Sequence, residues 1–148
     1  MITSPVLQPP ARKSFADVAH GELNFDANEP ADALVLQLID NPWVQRLRNI
    51  SQTGNTRAVY MFAEHSRFGH SLGVAFLATL LMRHLRSYHP ELVKPYERAV
   101  AAAALLHDIG HVAPGSHLAE RIWAPNHAGQ HESVSTRIIN EDTALRAT

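Results

Sequence analysis

The sequence predicts an all-α domain with one short two-stranded ribbon. Apolar residues recur at helical spacing through Phe68, Leu72, Phe76, Leu80 and Leu85, and the run from Glu91 to Ile109 is rich in alanine. Only two short stretches, His20–Phe25 and Ala58–Phe62, alternate in the manner of strands, and they are expected to pair with each other. The 148 residues are one domain's worth of chain.

Residues 1–15 read as a flexible lead, because Pro5, Pro9 and Pro10 stand among few apolar side chains; residues 16–148 form the domain. After the first alternating stretch, Asp32–Ile39 and Pro42–Ser51 are expected as consecutive helices, with Asn41 as N-cap and Pro42 at the first helical position. Trp43, Leu47 and Ile50 share one face of the second, while Arg46 and Arg48 point elsewhere. Ser66 is the expected N-cap of the third helix, which Pro90 stops. The stripe Phe68, Leu72, Phe76 and Leu80 reads as core. Because His70 stands beside a second line, Val74, Leu77 and Leu81, it is expected to project into the protein.

The next helix runs to Ile109, with Pro95 tolerated near its start. Ala101–Ala104 allow close helix packing, and Gly110 reads as the C-terminal stop, so His107 and Asp108 fall in the last turn. A loop through Pro114 and Gly115, a short helix over Ser116–Trp123, a second loop and a last helix over His131–Asn140 complete the chain. Trp43 and Trp123 read as packing anchors, and His65, His84, His89 and His127 as solvated.

Composition narrows the function. Thirteen Lys plus Arg against 14 Asp plus Glu give a net charge of −1, which provides no field for nucleic acid or an anionic membrane. There is no cysteine, so disulfides and thiolate metal sites are excluded. The longest apolar stretch, Leu72–Met82, is half of the ~20 residues that span a bilayer. No basic segment followed by an apolar one opens the chain, so the cytoplasm is the expected compartment. Ten histidines are many for this length, and they concentrate between His65 and His117.

His70, His107 and Asp108 are the candidate metal ligands. Two imidazoles and a carboxylate suit Mn, Fe, Co, Ni or Zn better than Ca. Adjacent helical residues stand ~100° apart, so His107 and Asp108 share a metal only over their common edge, and a third ligand must come from another element. Such a site suits hydrolysis of phosphate esters, which also needs positive charge for the phosphate and an acid for the leaving group. Arg67 is a natural phosphate contact, with pairing to Glu64 as the alternative. His111, His117 and His131 are candidates for proton transfer.

The ordered motifs resemble the HD-domain phosphohydrolases, and among them the deoxynucleoside triphosphate triphosphohydrolases. The resemblance begins at Asp17-Val18-Ala19-His20-Gly21-Glu22-Leu23 and continues through Gln45–Gly54. It then covers Arg67-Phe68-Gly69-His70-Ser71-Leu72-Gly73-Val74, Leu106-His107-Asp108-Ile109-Gly110-His111, Ser116-His117 and Gln130-His131-Glu132, over roughly 120 residues in all. It implies an HD-domain helical core, a divalent metal (Mn, Fe, Co, Ni, Zn or Mg) on His70, His107 and Asp108, and a deoxynucleoside triphosphate (dNTP) as substrate. By the same resemblance Arg67 would touch phosphate, Gln52 would lie near the sugar, and His117 would be a pocket histidine. His111 would line the site, His131 would be the catalytic acid, and Glu120 would orient it.

The family's fourth ligand is an aspartate on a much later helix. Asp142 stands too early to be that residue, and the family's downstream tyrosine and lysine contacts are also absent. The expectation is therefore the N-terminal part of the family core. Its catalytic competence is left open, and uncovered apolar surface favours a homo-oligomer. The alternatives are hydrolysis of another nucleotide, cyclic or alarmone, and a non-catalytic metal- or nucleotide-binding module.

Overall fold

The structure, a computed structural model, describes residues 11–113, 115, 120–122, 125–126 and 130–147. The chain begins with an antiparallel hairpin, β1 (Arg12–Asp17) and β2 (Gly21–Asp26), paired from Arg12↔Asp26 to Asp17↔Gly21. Asp17 closes the turn by accepting from the backbone N–H groups of Ala19 (3.0 Å) and His20 (2.9 Å). Gly21 takes the left-handed conformation that follows (φ 76°), one that side chains resist. On β2, Leu23 and Phe25 alternate inward, and the Phe25 ring meets the edge of Phe76 at 5.7 Å.

The ribbon thus exists, with a different partner from the one expected. Arg12–Phe15, assigned above to the lead, form most of β1. Residues 58–62 form no strand: Gly54–Ala58 is a 3-10 turn, Phe62 is left-handed (φ 67°), and Val59, Tyr60, Met61 and Phe62 are all exposed. A short turn brings β1 to β2 at less entropic cost than a long loop would bring in residues 58–62.

Helix α1 (Pro30–Leu38) buries Ala31, Leu34, Val35 and Leu38. The second predicted helix is shorter than expected: α2 (Pro42–Gln45) passes into a 3-10 turn (Arg46–Asn49) before Ile50 becomes extended. The Asn41 cap holds, its side chain accepting from Trp43 N–H at 2.9 Å. So does the Ser66 cap of α3 (Arg67–Tyr88), which accepts from Gly69 N–H at 3.3 Å.

After α3 come α4 (Pro90–Val93), a 3-10 turn (Lys94–Tyr96) and α5 (Glu97–Leu106), three pieces where the sequence suggested one helix. Pro95 explains the break, because it offers no N–H to continue the ladder. The chain closes with α6 (His131–Glu141) and α7 (Thr143–Arg146). The short helix expected over Ser116–Trp123 lies largely outside the described residues, of which Glu120–Ile122 are helical.

Helix α5 packs between α1 and α3, around Leu72, Ala75, Ala101, Leu105 and Ile109. Beneath the ribbon, Asp32 is fully buried and accepts two hydrogen bonds from Arg83 Nη2 (2.6 and 2.8 Å) and one from Asp26 N–H (2.9 Å). Two sequence expectations for α3 are corrected: Leu77, Leu80, Leu81 and Leu85 are exposed, and the buried face is Phe68, Ser71, Leu72, Ala75, Thr79 and Met82. Among the described residues no helix is long and apolar enough to cross a membrane.

Candidate metal centre

Asp108 is the hub of the site. It follows α5 in the tight turn 107–110, is 3% exposed, and has side-chain nitrogens against both carboxylate oxygens. His107 Nε2 lies 3.3 Å and His111 Nε2 3.5 Å from Oδ1; His70 Nε2 lies 4.0 Å from Oδ2. Ligand atoms of His70, His107 and Asp108 all fall within 4.8 Å of one another, as do those of Asp108, His111 and His131.

The tautomers fit a cation. His107 Nδ1 donates to the Ala104 carbonyl at 2.9 Å, so in the neutral ring Nε2 is a bare lone pair aimed at Asp108 Oδ1. Two electron-pair donors so placed repel unless a proton or metal stands between them. Ligand bonds of about 2.0–2.2 Å put donor atoms about 3–4 Å apart, which is the spacing found here. Burial pushes His70 below the ordinary imidazole pKa, aided by His107 and Arg67, and Asp108 only partly opposes this. Burial would raise the Asp108 carboxyl, but His107 and the Arg67 guanidinium more than offset it and hold it below the usual range. Both shifts favour the forms that bind metal.

His70 reaches this hub from the first turn of α3, yet its side chain is still 35% exposed, on the face of α3 where Leu77 and Leu81 are exposed too. It therefore stands at the wall of the site instead of projecting into the core. A cavity of about 490 Å³ opens against it, lined by Phe62, His65, Gly69, Gly73, Val74 and Leu77 among others.

Arg67 is buried, not presented to solvent. It donates to Asp108 Oδ2 and to the Gly115 carbonyl, each at 2.8 Å, and more weakly to Gln52 Oε1 at 3.4 Å. No bond to Glu64 is among its contacts. Gln52 thus lies within reach of the hub through Arg67. His117 lies outside the described residues.

Glu120 pairs with His111, where Oε1 lies 2.5 Å from Nδ1 and both side chains are buried. Nδ1 then carries the proton and Nε2 turns to Asp108. Burial, together with the charges of Arg67 and His131, lowers the His111 pKa, although the Glu120 bond pulls the other way. The His131 ring stacks on His111 with centroids 3.9 Å apart, so Glu120 bears on His131 by way of His111.

Two residues that sequence reasoning passed over hold this turn. Arg46, expected to point away, donates to the carbonyls of Ile109 (2.6 Å) and His111 (2.7 Å). Ser135 accepts from Gly110 N–H and donates to the His107 carbonyl, each at 2.9 Å. Gly110 is not a left-handed helix stop: its smallness admits α6, since a Cβ there would overlap the His131 carbonyl and lie 2.7 Å from Ser135 N. The available sequence signal was Ser135 one turn after His131, on the same face.

Residues 67–146 match the HD domain family. The chain is 40% identical over 115 residues to the deoxynucleoside triphosphate triphosphohydrolase SAMHD1 of Danio rerio, covering 76% of this chain and 17% of that protein. It is 35% identical over 138 residues to the Xenopus laevis protein of the same name (89% and 21%), and 39% identical over 133 residues to the uncharacterized protein YwfO of Bacillus subtilis (90% and 28%). The chain spans only 17–28% of the length of these three relatives. The family match opens at Arg67 and runs past both the His107–Asp108 turn and His131, and the chain belongs to the HD domain family.

Proposed function

We propose that this chain is the metal- and acid-bearing part of a nucleotide phosphohydrolase, with a dNTP and water as substrates and deoxynucleoside and triphosphate as products. One observation carries the reading: His70 and His107 on one side, and the His111–His131 stack on the other, meet at the Asp108 carboxylate. The names of the SAMHD1 relatives support the substrate class.

His70, His107 and Asp108 would hold a divalent metal, drawn from Mn, Fe, Co, Ni, Zn or Mg. When bound, such a metal supplies Lewis-acid polarisation of a phosphoryl oxygen. Arg67 keeps Asp108 ionised and brings positive charge to the side of the site where phosphate would lie. Glu120 orients His111, and His131 delivers a proton to the leaving sugar oxygen. Gln52 would contact the sugar, and His117 would be a further pocket histidine. The cavity against His70 is within the size range of small-molecule sites. The reading needs neither membrane nor nucleic acid, places the reaction in the cytoplasm and allows self-association.

The test is incubation with each dNTP and Mn or Mg, assayed for nucleoside plus triphosphate. Products from cyclic or alarmone nucleotides alone would move the substrate class. Stoichiometric metal without product from any nucleotide would favour a binding module. Unchanged metal content in His107→Ala would overturn both.

A further inference from the structure

The turn 107–110, which carries His107 and Asp108 and leads into His111, has left α5; Ile109 N–H still reaches the Leu106 carbonyl and His111 N–H the Asp108 carbonyl, and the other backbone groups need partners elsewhere. Ser135, 4% exposed, serves two of them with a single hydroxyl, accepting from Gly110 N–H and donating to the His107 carbonyl. Arg46 serves the Ile109 and His111 carbonyls from the other side. Because Ser135 lies one turn along α6 from His131, the hydroxyl that holds the His107 peptide also fixes where α6 sits. Gly110 admits that approach, since a Cβ there would stand 2.8 Å from Ser135 Oγ.

We propose that Ser135 is a positioning residue for the metal centre: through the His107 carbonyl and the Gly110 amide, its hydroxyl sets the direction of the His107 and Asp108 donors relative to His131. The inference rests on the reading that His107 and Asp108 hold a divalent metal. A side chain that merely filled space would be replaceable by alanine. This one accepts and donates at once, and both partners are main-chain atoms of the ligand-bearing turn. Removing the hydroxyl leaves a buried N–H and carbonyl unpaired, and the turn shifts to satisfy them.

The experiment is a cobalt(II) titration of wild type, Ser135→Ala, Ser135→Thr and His107→Ala, following the visible absorption bands, with thermal melts of metal-free and loaded protein. Ser135→Ala should bind cobalt about ten-fold more weakly with altered bands, and Ser135→Thr should recover both. A purely structural role would lower both melting temperatures equally while leaving cobalt affinity and bands unchanged; that result overturns the inference. If Ser135→Ala does not fold, Ser135→Cys keeps the shape with weaker hydrogen bonds, and wild-type affinity in that variant overturns it equally. Failure of wild type to bind cobalt overturns the metal reading and this inference with it. Wild-type binding that His107→Ala loses and Ser135→Ala keeps overturns this inference alone.

Discussion

The Arg67 guanidinium donates to Asp108 Oδ2 at 2.8 Å with both side chains buried, and His70 Nε2 approaches the same oxygen at 4.0 Å. Arg67 therefore neutralises the carboxylate on which the candidate ligands converge. Arg67→Ala should strand a buried charge and destabilise the metal-free protein by about 3–5 kcal/mol, with Mn restoring more stability to the variant than to wild type. Arg67→Lys should rescue little, because one ammonium does not reproduce the fork spanning Asp108 and the Gly115 carbonyl. Urea unfolding with and without Mn measures both; equal metal-free stability of wild type and Arg67→Ala would refute the pairing's importance.

His131 belongs to two possible assignments, since its donor atom also groups with those of Asp108 and His111. As the acid, its replacement by alanine should lower dNTP turnover about 10²–10⁴-fold and leave metal content intact. Elemental analysis beside the kinetic assay decides: metal lost in His131→Ala identifies a ligand.

Gly110→Ala should be more harmful than an ordinary surface substitution. The added methyl meets main-chain atoms of α6, which cannot swing aside as a side chain could. A cost at or above the upper end of about 1–3 kcal/mol is expected. Denaturant midpoints matching wild type would show that α6 does not pack so closely.

Asp142 caps α7 through Leu145 N–H (2.9 Å) and accepts from Trp43 Nε1 (3.0 Å), two bonds that hold its pKa below the ordinary carboxylate value. With the folded pKa depressed, its stabilising share is complete above the unfolded pKa and is lost as pH falls through the folded one. Asp142→Asn should thus melt below wild type at neutral pH, and the difference should shrink in acid. A difference constant from neutrality to the lowest pH would contradict the assignment.

Much of the candidate site was legible in the linear sequence because its signals are local. Asn41 and Ser66 cap helices with their own amide or hydroxyl oxygens, and the motifs around His70 and around His107-Asp108 are contiguous, so these three could be named with their neighbouring residues; the helix expected to run to Ile109 ends instead at Leu106, which puts His107 and Asp108 in the turn beyond it. The composition likewise set the charge and the absence of thiolate chemistry. What only the tertiary structure decided depends on distant partners. The alternation of Ala58–Phe62 drew the expected pairing away from β1, which the hairpin turn chooses, and the line Val74, Leu77, Leu81 looked inward although Leu77 and Leu81 find no cover among the described residues. Arg46 and Ser135 reach carbonyls and an amide many residues away, and hydrogen bonds to main-chain atoms leave no trace in the identity of the residue they hold. Arg67 was a phosphate candidate by its type; its burial against Asp108 arises because α3 and the turn after α5 meet, a packing event that no periodicity encodes.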